Sequence, residues 1–306
     1  MKKIPLGTSG LEVPAIAVGC MRINGLEKSE AEGFIQTAIE GGATFFDHAD
    51  VYGGGDCEAI FAEAAHMNND KREKIFLQSK CGIRPDVAFD FSKEHILASV
   101  EGSLSRLRTE YLDVLLLHRP DALVEPEEVA EAFNILHESG KVRHFGVSNQ
   151  NPMQIQLLKK FVKQPLVANQ LQLSITNANM ITQGLHVNML DDGAVNRDAS
   201  VLDFCRLNDI TIQPWSPFQF GFFEGVFLDN EKFPELNKKI DEIAGKYGVS
   251  NVTITFAWLL RHPAKMQPVT GTMNRQRLKD CIKAMDISLT REEWYEIYLA
   301  AGNILP

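Results

Sequence analysis

The sequence predicts a closed (β/α)8 barrel, a single-domain α/β fold spanning residues 1–306. Three observations carry that expectation. Eight short apolar runs recur along the chain, and amphipathic helical patterns separate them. The first run leads into Gly19-Cys20-Met21-Arg22, without the G-x-G-x-x-G turn that an open dinucleotide-binding sheet places there. Eight units of this kind suit a closed barrel, and such barrels routinely exceed about 250 residues as one domain.

Residues 2–5 and 10–13 read as a short extended pair, and Ala15-Ile16-Ala17-Val18 as the first barrel strand. Over 28–40, Ala31, Phe34, Ile35, Ala38 and Ile39 recur at helical spacing until Gly41-Gly42 stop the pattern. Thr44-Phe45-Phe46 is the second strand, followed by Gly53-Gly54-Gly55 and a helix over 57–66. The third strand runs from Lys74 to Ser79. A helix over 92–107 then aligns Leu97, Val100, Leu104 and Leu107 on one stripe.

Leu112 to Leu117 is the fourth strand. The next helix opens on Pro126, whose fixed φ and missing N–H suit a first helical position, and stops at Gly140. Val142 to Val147 is the fifth strand, Val167-Ala168-Asn169 the sixth, Ile210 to Trp215 the seventh and Gln267 to Thr270 the eighth. Two stretches break the alternation: 171–198 is polar without period, and 216–232 is rich in Phe and Gly. Long loops in a compact domain usually carry function. Both follow strands, so both belong to the C-terminal face where barrels keep their active sites.

Composition narrows the classes of partner. A net charge of −9 argues against nucleic acid, whose binding needs a basic stripe to neutralise phosphates. The five cysteines are scattered and form no C-x-x-C pair, so neither a disulfide framework nor a zinc ribbon is expected. The start, Met-Lys-Lys-Ile-Pro, lacks the apolar stretch of a signal peptide, and no run approaches 18 apolar residues. A cytoplasmic location, no membrane partner, and a monomer or weak homo-oligomer are the expectations.

Four ionisable residues fall on strand ends. Asp47 directly follows the second strand, Tyr52 lies five residues on, Lys80 ends the third and His118 ends the fourth. Taken singly, a lysine or histidine at a strand end is more often solvated or structural. Jointly they share one rim of the barrel, and a charge at the end of an apolar strand must be paired or functional. The residue types suit carbonyl reduction, which needs hydride on carbon and a proton on the developing alkoxide. A phenol ionises near pKa ~10, and a neighbouring ammonium stabilises the phenolate. Asp47 would fix and balance Lys80, while His118 would hydrogen-bond and orient the carbonyl oxygen. No step requires a metal.

These motifs resemble those of the aldo-keto reductase superfamily, from Gly19 to the helix starting near Asn274. Asp50-Val51-Tyr52-Gly53-Gly54-Gly55 and the segment 140–149 resemble its short-loop microbial branch. The resemblance implies reduction of aldehydes or ketones with NADPH, and Asp47, Tyr52, Lys80 and His118 as the catalytic tetrad, with Tyr52 the general acid. It further implies that Ser148, Asn149 and Gln170, the last following strand six, hold the nicotinamide carboxamide while Trp215 stacks on the ring. Ser216 and Phe218 would begin the loop along the pyrophosphate. Gly271, Thr272, Asn274 and Arg277 resemble the segment that takes the 2′-phosphate, where a hydroxyl, helix-start amides and a forked guanidinium suit the charge.

Two departures stand out. Asp280 is followed by Cys281 where the family often has Asn for the adenine, and Phe218-Gln219-Phe220-Gly221 replaces a turn of small residues. Met21 and Arg22 are placed on the cofactor side. Together with His48, Phe218, Phe220 and Phe222 they are expected to line an apolar mouth suited to small carbonyl substrates.

Two other readings stay open on the residues alone. A metal-dependent barrel hydrolase would use His48, Asp50 and His118 as ligands, but the chain has no H-x-H pair on a strand. A redox-sensing regulatory protein would bind NADPH with little turnover, against which the complete tetrad argues.

Overall fold

In the computed structural model, which describes residues 2–306, eight parallel strands form one sheet. In chain order they are Ala17–Gly19, Phe45–Asp47, Phe76–Cys81, Leu112–Leu117, Val142–Ser148, Leu166–Gln172, Thr211–Trp215 and Val269–Thr270. The second to the seventh each pair with the strand before, and the eighth pairs with the first through Val269 opposite Ala17 and Thr270 opposite Val18. Between the seventh and eighth, the Gln267 N–H donates to the Ile212 carbonyl at 3.0 Å and draws the ring together. The expected (β/α)8 barrel is therefore the observed fold.

Its floor is a β-hairpin, Lys3–Pro5 with Glu12–Pro14. Ile4, Leu6 and Val13 turn into the barrel and pack on Ala17, Phe45, Val114, Leu116 and Ala168. The larger core lies outside the ring. There the strands meet the helices through Phe34, Phe61, Val100, Phe133 and Trp258, all essentially inaccessible to solvent. Among the described residues no helix is long and apolar enough to cross a membrane.

The differences from expectation have local causes. The first strand begins at Ala17 because the Ala15 N–H is taken by the Lys2 carbonyl at 3.0 Å, which ties that segment to the floor. The eighth is only two residues long. Pro268 has no N–H to give a ladder, although its carbonyl accepts from Ala17. The sixth strand is longer than expected, so Gln170 lies inside it rather than after it. The polar stretch 171–198 holds a helix, Asn179–Leu185, and a 3-10 turn, Asp192–Ala194. That helix buries Met180 and Ile181, too few apolar positions to give a readable period.

Candidate active site

Asp47 closes the second strand with its side chain pointing into the ring, and Lys80 sits one residue before the end of the third. Lys80 is fully buried. Its Nζ donates to Asp47 Oδ2 at 2.8 Å, to the His48 carbonyl at 2.7 Å and to Tyr52 Oη at 3.2 Å. Three acceptors thus satisfy the three donors of one ammonium. The other carboxylate oxygen, Oδ1, accepts from Gln78 Nε2 at 2.6 Å and Gln170 Nε2 at 3.1 Å.

Tyr52 begins a tight turn, Tyr52–Gly55, in which Gly53 and Gly54 have φ of 59° and 67°. Left-handed backbone is open to glycine and strained for most other residues. At Gly53 a Cβ would also meet Asn24 Nδ2 at 2.9 Å. The turn reverses the chain between the strand and the helix Asp56–Ala64, which brings the Tyr52 ring over Lys80.

Burial pushes the Tyr52 phenol above the ordinary tyrosine pKa, although Lys80 pulls it down as expected from sequence. The phenol therefore stays protonated through the neutral range. Burial likewise works against the Lys80 charge, but Asp47 and Tyr52 outweigh it and hold the ammonium's pKa above the ordinary lysine value. His118, edge-on to Tyr52 with centroids 5.8 Å apart, is driven well below the ordinary histidine pKa by burial and by the Lys80 and Arg119 charges. It is a neutral imidazole at pH 7. Its Nδ1 is buried without a partner, which leaves Nε2 as the ring nitrogen on the cavity side.

Asp47, Tyr52 and His118 line one end of a cavity of about 800 Å³, while Lys80 reaches it only through Asp47 and Tyr52. Met21, Arg22, Ser148, Asn149, Gln170, Trp215, Ser216, Phe218, Gly271, Thr272, Asn274 and Arg277 line it too, so the structure gathers nearly all the expected site residues on one surface. Ser148 and Asn149 are tied to each other, Asn149 Nδ2 donating to Ser148 Oγ at 2.7 Å. Trp215 Nε1 in turn donates to Asn149 Oδ1 at 3.0 Å, which fixes the indole at the cavity wall.

At the far end, Asn274 caps the helix Arg275–Lys283 by accepting from the Arg277 N–H at 3.0 Å. Of the two arginines there, Arg275 donates to Thr37 Oγ1 and packs against Gly33. Arg277 is exposed and lines the cavity. Arg22 donates to the Gly271 carbonyl across the groove at 3.1 Å. An exposed guanidinium at a helix start, with a second one opposite, is a donor set that fits a phosphate-bearing cofactor.

Several expected residues lie elsewhere. His48 is fully buried behind the tetrad, edge-on to Phe61 at 4.6 Å, with both ring nitrogens unpartnered and a pKa lowered to about 3 by burial. It does not line the mouth; its contribution is the carbonyl that holds Lys80. Phe220 packs inward on Phe233 at 5.1 Å, and its neighbour Phe223 reaches the cavity instead, stacked on Trp215 at 5.9 Å. Asp280 is off the cavity wall, its carboxylate accepting from Gln276. Among the described residues no cluster of three or more His, Cys, Asp or Glu is placed to hold a metal ion.

A model of the aldo/keto reductase family matches residues 15–300. The chain belongs to the aldo/keto reductase family. It is 38% identical, over 98% of both chains, to an uncharacterized oxidoreductase of Bacillus subtilis. It is 33% identical, over 99% of both, to a 6-dehydroglucose reductase of Agrobacterium fabrum. Among solved structures, a thermostable aldo-keto reductase in complex with the inhibitor epalrestat superposes with a TM-score of 0.79 at 28% identity, covering 98% of this chain and 100% of that one. The chain is thus an oxidoreductase built on the family's barrel.

Sequence reasoning missed Gln78, Gln213, Arg119 and Phe223. The two glutamines carried one usable signal, a polar side chain inside an otherwise apolar strand. Arg119 adjoins His118, where the eye stops at the histidine.

Proposed function

We propose that this member of the family reduces aldehydes or small ketones to alcohols with NADPH, Tyr52 serving as general acid. The observation that carries the reading is the run of contacts Tyr52–Lys80–Asp47, whose Tyr52 and Asp47 line a cavity that also offers Arg277 and Arg22. A bound nicotinamide cofactor would supply hydride to the carbonyl carbon. Ser148, Asn149 and Gln170 suit its carboxamide and Trp215 its ring, while Thr272, Asn274 and Arg277 suit a 2′-phosphate.

The chain's own residues then have one task, to manage charge on the carbonyl oxygen. His118 is neutral, so it offers a hydrogen bond without competing as an acid. Tyr52 keeps its proton while the substrate oxygen is a carbonyl. It releases the proton when that oxygen becomes an alkoxide, a far stronger base than phenolate. Lys80 is already beside the phenol oxygen when the phenolate forms, and needs no reorganisation to stabilise it. Asp47, held on both oxygens, keeps the ammonium in place. Pro217, Phe218 and Phe223 give the cavity wall an apolar stretch.

The test is steady-state oxidation of NADPH and, in parallel, NADH against a panel of aldehydes. Wild type is expected to favour NADPH. Tyr52→Phe is expected to lose about 10²–10⁴-fold in kcat, the span that positioned acid catalysis supplies. Full activity in Tyr52→Phe would sink the mechanism.

A further inference from the structure

Arg119 is the first residue beyond His118, and it lines the same end of the cavity. The other arginines that this fold buries are paired. Arg72 meets Asp113 at 2.6 Å, and Arg106 meets Glu58 at 2.8 Å. Half-buried Arg119 has neither a carboxylate nor any hydrogen-bond acceptor among the described residues. Its guanidinium lies 5.5 Å from the centre of the Trp215 ring and 5.9 Å from that of Phe222, two rings set nearly perpendicular to each other. The aromatics hold the cation in place but satisfy none of its five N–H donors.

A guanidinium cannot shed its charge, and taking it partly out of water without a partner is unfavourable. Burial depresses its affinity for the proton, and no carboxylate offsets this. The position of this charge matters. Arg22 and Arg277 sit toward the helix start at the far end, where an anionic cofactor would place its phosphates. Arg119 is beside Tyr52 and His118, and its charge bears on both of them. It therefore faces whatever is being reduced.

We infer that Arg119 selects the substrate: the cavity is built for a carbonyl compound that also carries a carboxylate, paired with the free fork of this guanidinium. The inference rests on the carbonyl-reducing reading of the site and adds the class of substrate to it. Planar two-point pairing suits a carboxylate, and the two neighbouring rings restrict where the fork can lie before the substrate arrives.

The test compares aldehydes that differ only in that charge: 4-carboxybenzaldehyde against methyl 4-formylbenzoate, and succinic semialdehyde against its methyl ester. In wild type, kcat/KM for the acid should exceed that for the ester at least about tenfold in one pair, the scale of one good charged contact. Added salt should shrink the advantage. In Arg119→Leu the ratio should fall to near one, and Arg119→Lys should keep part of it. A wild-type ratio near one in both pairs, or an unchanged ratio in Arg119→Leu, overturns the inference while leaving the reductase reading intact.

Turnover of none of the four aldehydes would strike at the reductase reading instead. Calorimetric titration with 4-(hydroxymethyl)benzoate then judges Arg119 separately. Binding in wild type that is lost in Arg119→Leu supports the inference, and equal binding, or none, overturns it.

Discussion

Asp50 lies three residues beyond Asp47 in the same loop, yet it faces the opposite environment. Where Asp47 has a donor on each oxygen, Asp50 keeps Oδ1 buried and unpartnered. Burial raises its carboxyl from an ordinary 3.8 to about 6, with the Glu58 charge adding to the rise and Ser99 and Arg106 opposing it. The sign follows from proton linkage. Between pH 4 and 6 the folded chain holds this proton and the unfolded chain releases it, so stability from this group is lost as pH rises through that window. Above pH 6 the full penalty stands, on the order of 3 kcal/mol at 1.36 kcal/mol per pKa unit. Asp50→Asn should therefore melt several degrees higher than wild type at pH 7.5 and show little difference at pH 4. Melting curves at the two pH values check this; an equal shift at both would mean that shape, not charge, is responsible.

The third barrel strand, Phe76–Cys81, supplies Gln78 and Lys80, and its placement depends on the residue that follows it. Gly82 has φ of +102°, and a Cβ there would lie 2.3 Å from the buried Phe91 ring. Gly82→Ala would combine left-handed strain with overpacking, together about 2–4 kcal/mol, in an element that also positions Lys80. Urea unfolding should show a lower midpoint with an unchanged slope, and a wild-type midpoint would show that the Phe91 ring can yield. Elements of this kind were legible to different degrees. The helix 28–40 was readable to the residue because five apolar side chains repeat over three turns and two glycines stop it. The sixth strand was cut short because Gln170 and Gln172 look like loop residues in a linear reading, although the Gln170 side chain points into a polar barrel interior. Asp47, Lys80 and His118 were legible because each sits at the end of an apolar run, and Tyr52 because it follows Asp47 by five residues in the adjoining loop. Phe220 and Phe223 were exchanged because the hairpin joining Gln219–Phe220 to Gly225–Val226 has no periodicity to say which ring turns inward.

Across the whole molecule, the floor and the active site are joined by a line of amide side chains. Pro14 in the floor hairpin accepts from Gln267 Nε2 at 2.7 Å, and Gln267 Oε1 accepts from Gln213 Nε2 at 2.8 Å. Gln213 and Gln78 exchange hydrogen bonds at 2.9 and 3.1 Å, and Gln78 reaches Asp47 at 2.6 Å. The three glutamines come from the third and seventh strands and the lead into the eighth, and none is accessible to solvent. No single segment of sequence could show this line, because its members are up to 189 residues apart (267 minus 78) and meet only when the barrel closes. Being amides, they each donate and accept, so they fill the interior without adding charge beneath Asp47. Gln213 is the hinge of the arrangement. Gln213→Leu conserves much of the volume but removes the donor to Gln78 Oε1 and to Gln267 Oε1, two acceptors on side chains closed to solvent. At about 1–3 kcal/mol for each orphaned group the variant should lose about 2–6 kcal/mol, a fall in melting midpoint of roughly 5–15 °C for a chain of this size. The loss should also reach the rim, since Gln78 would keep Asp47 as its only fixed partner, and carbonyl reduction should fall in kcat more than it rises in KM. A variant that melts and turns over like wild type would show that the apolar floor and the strand ladders alone hold Asp47, with the glutamines as passive filling.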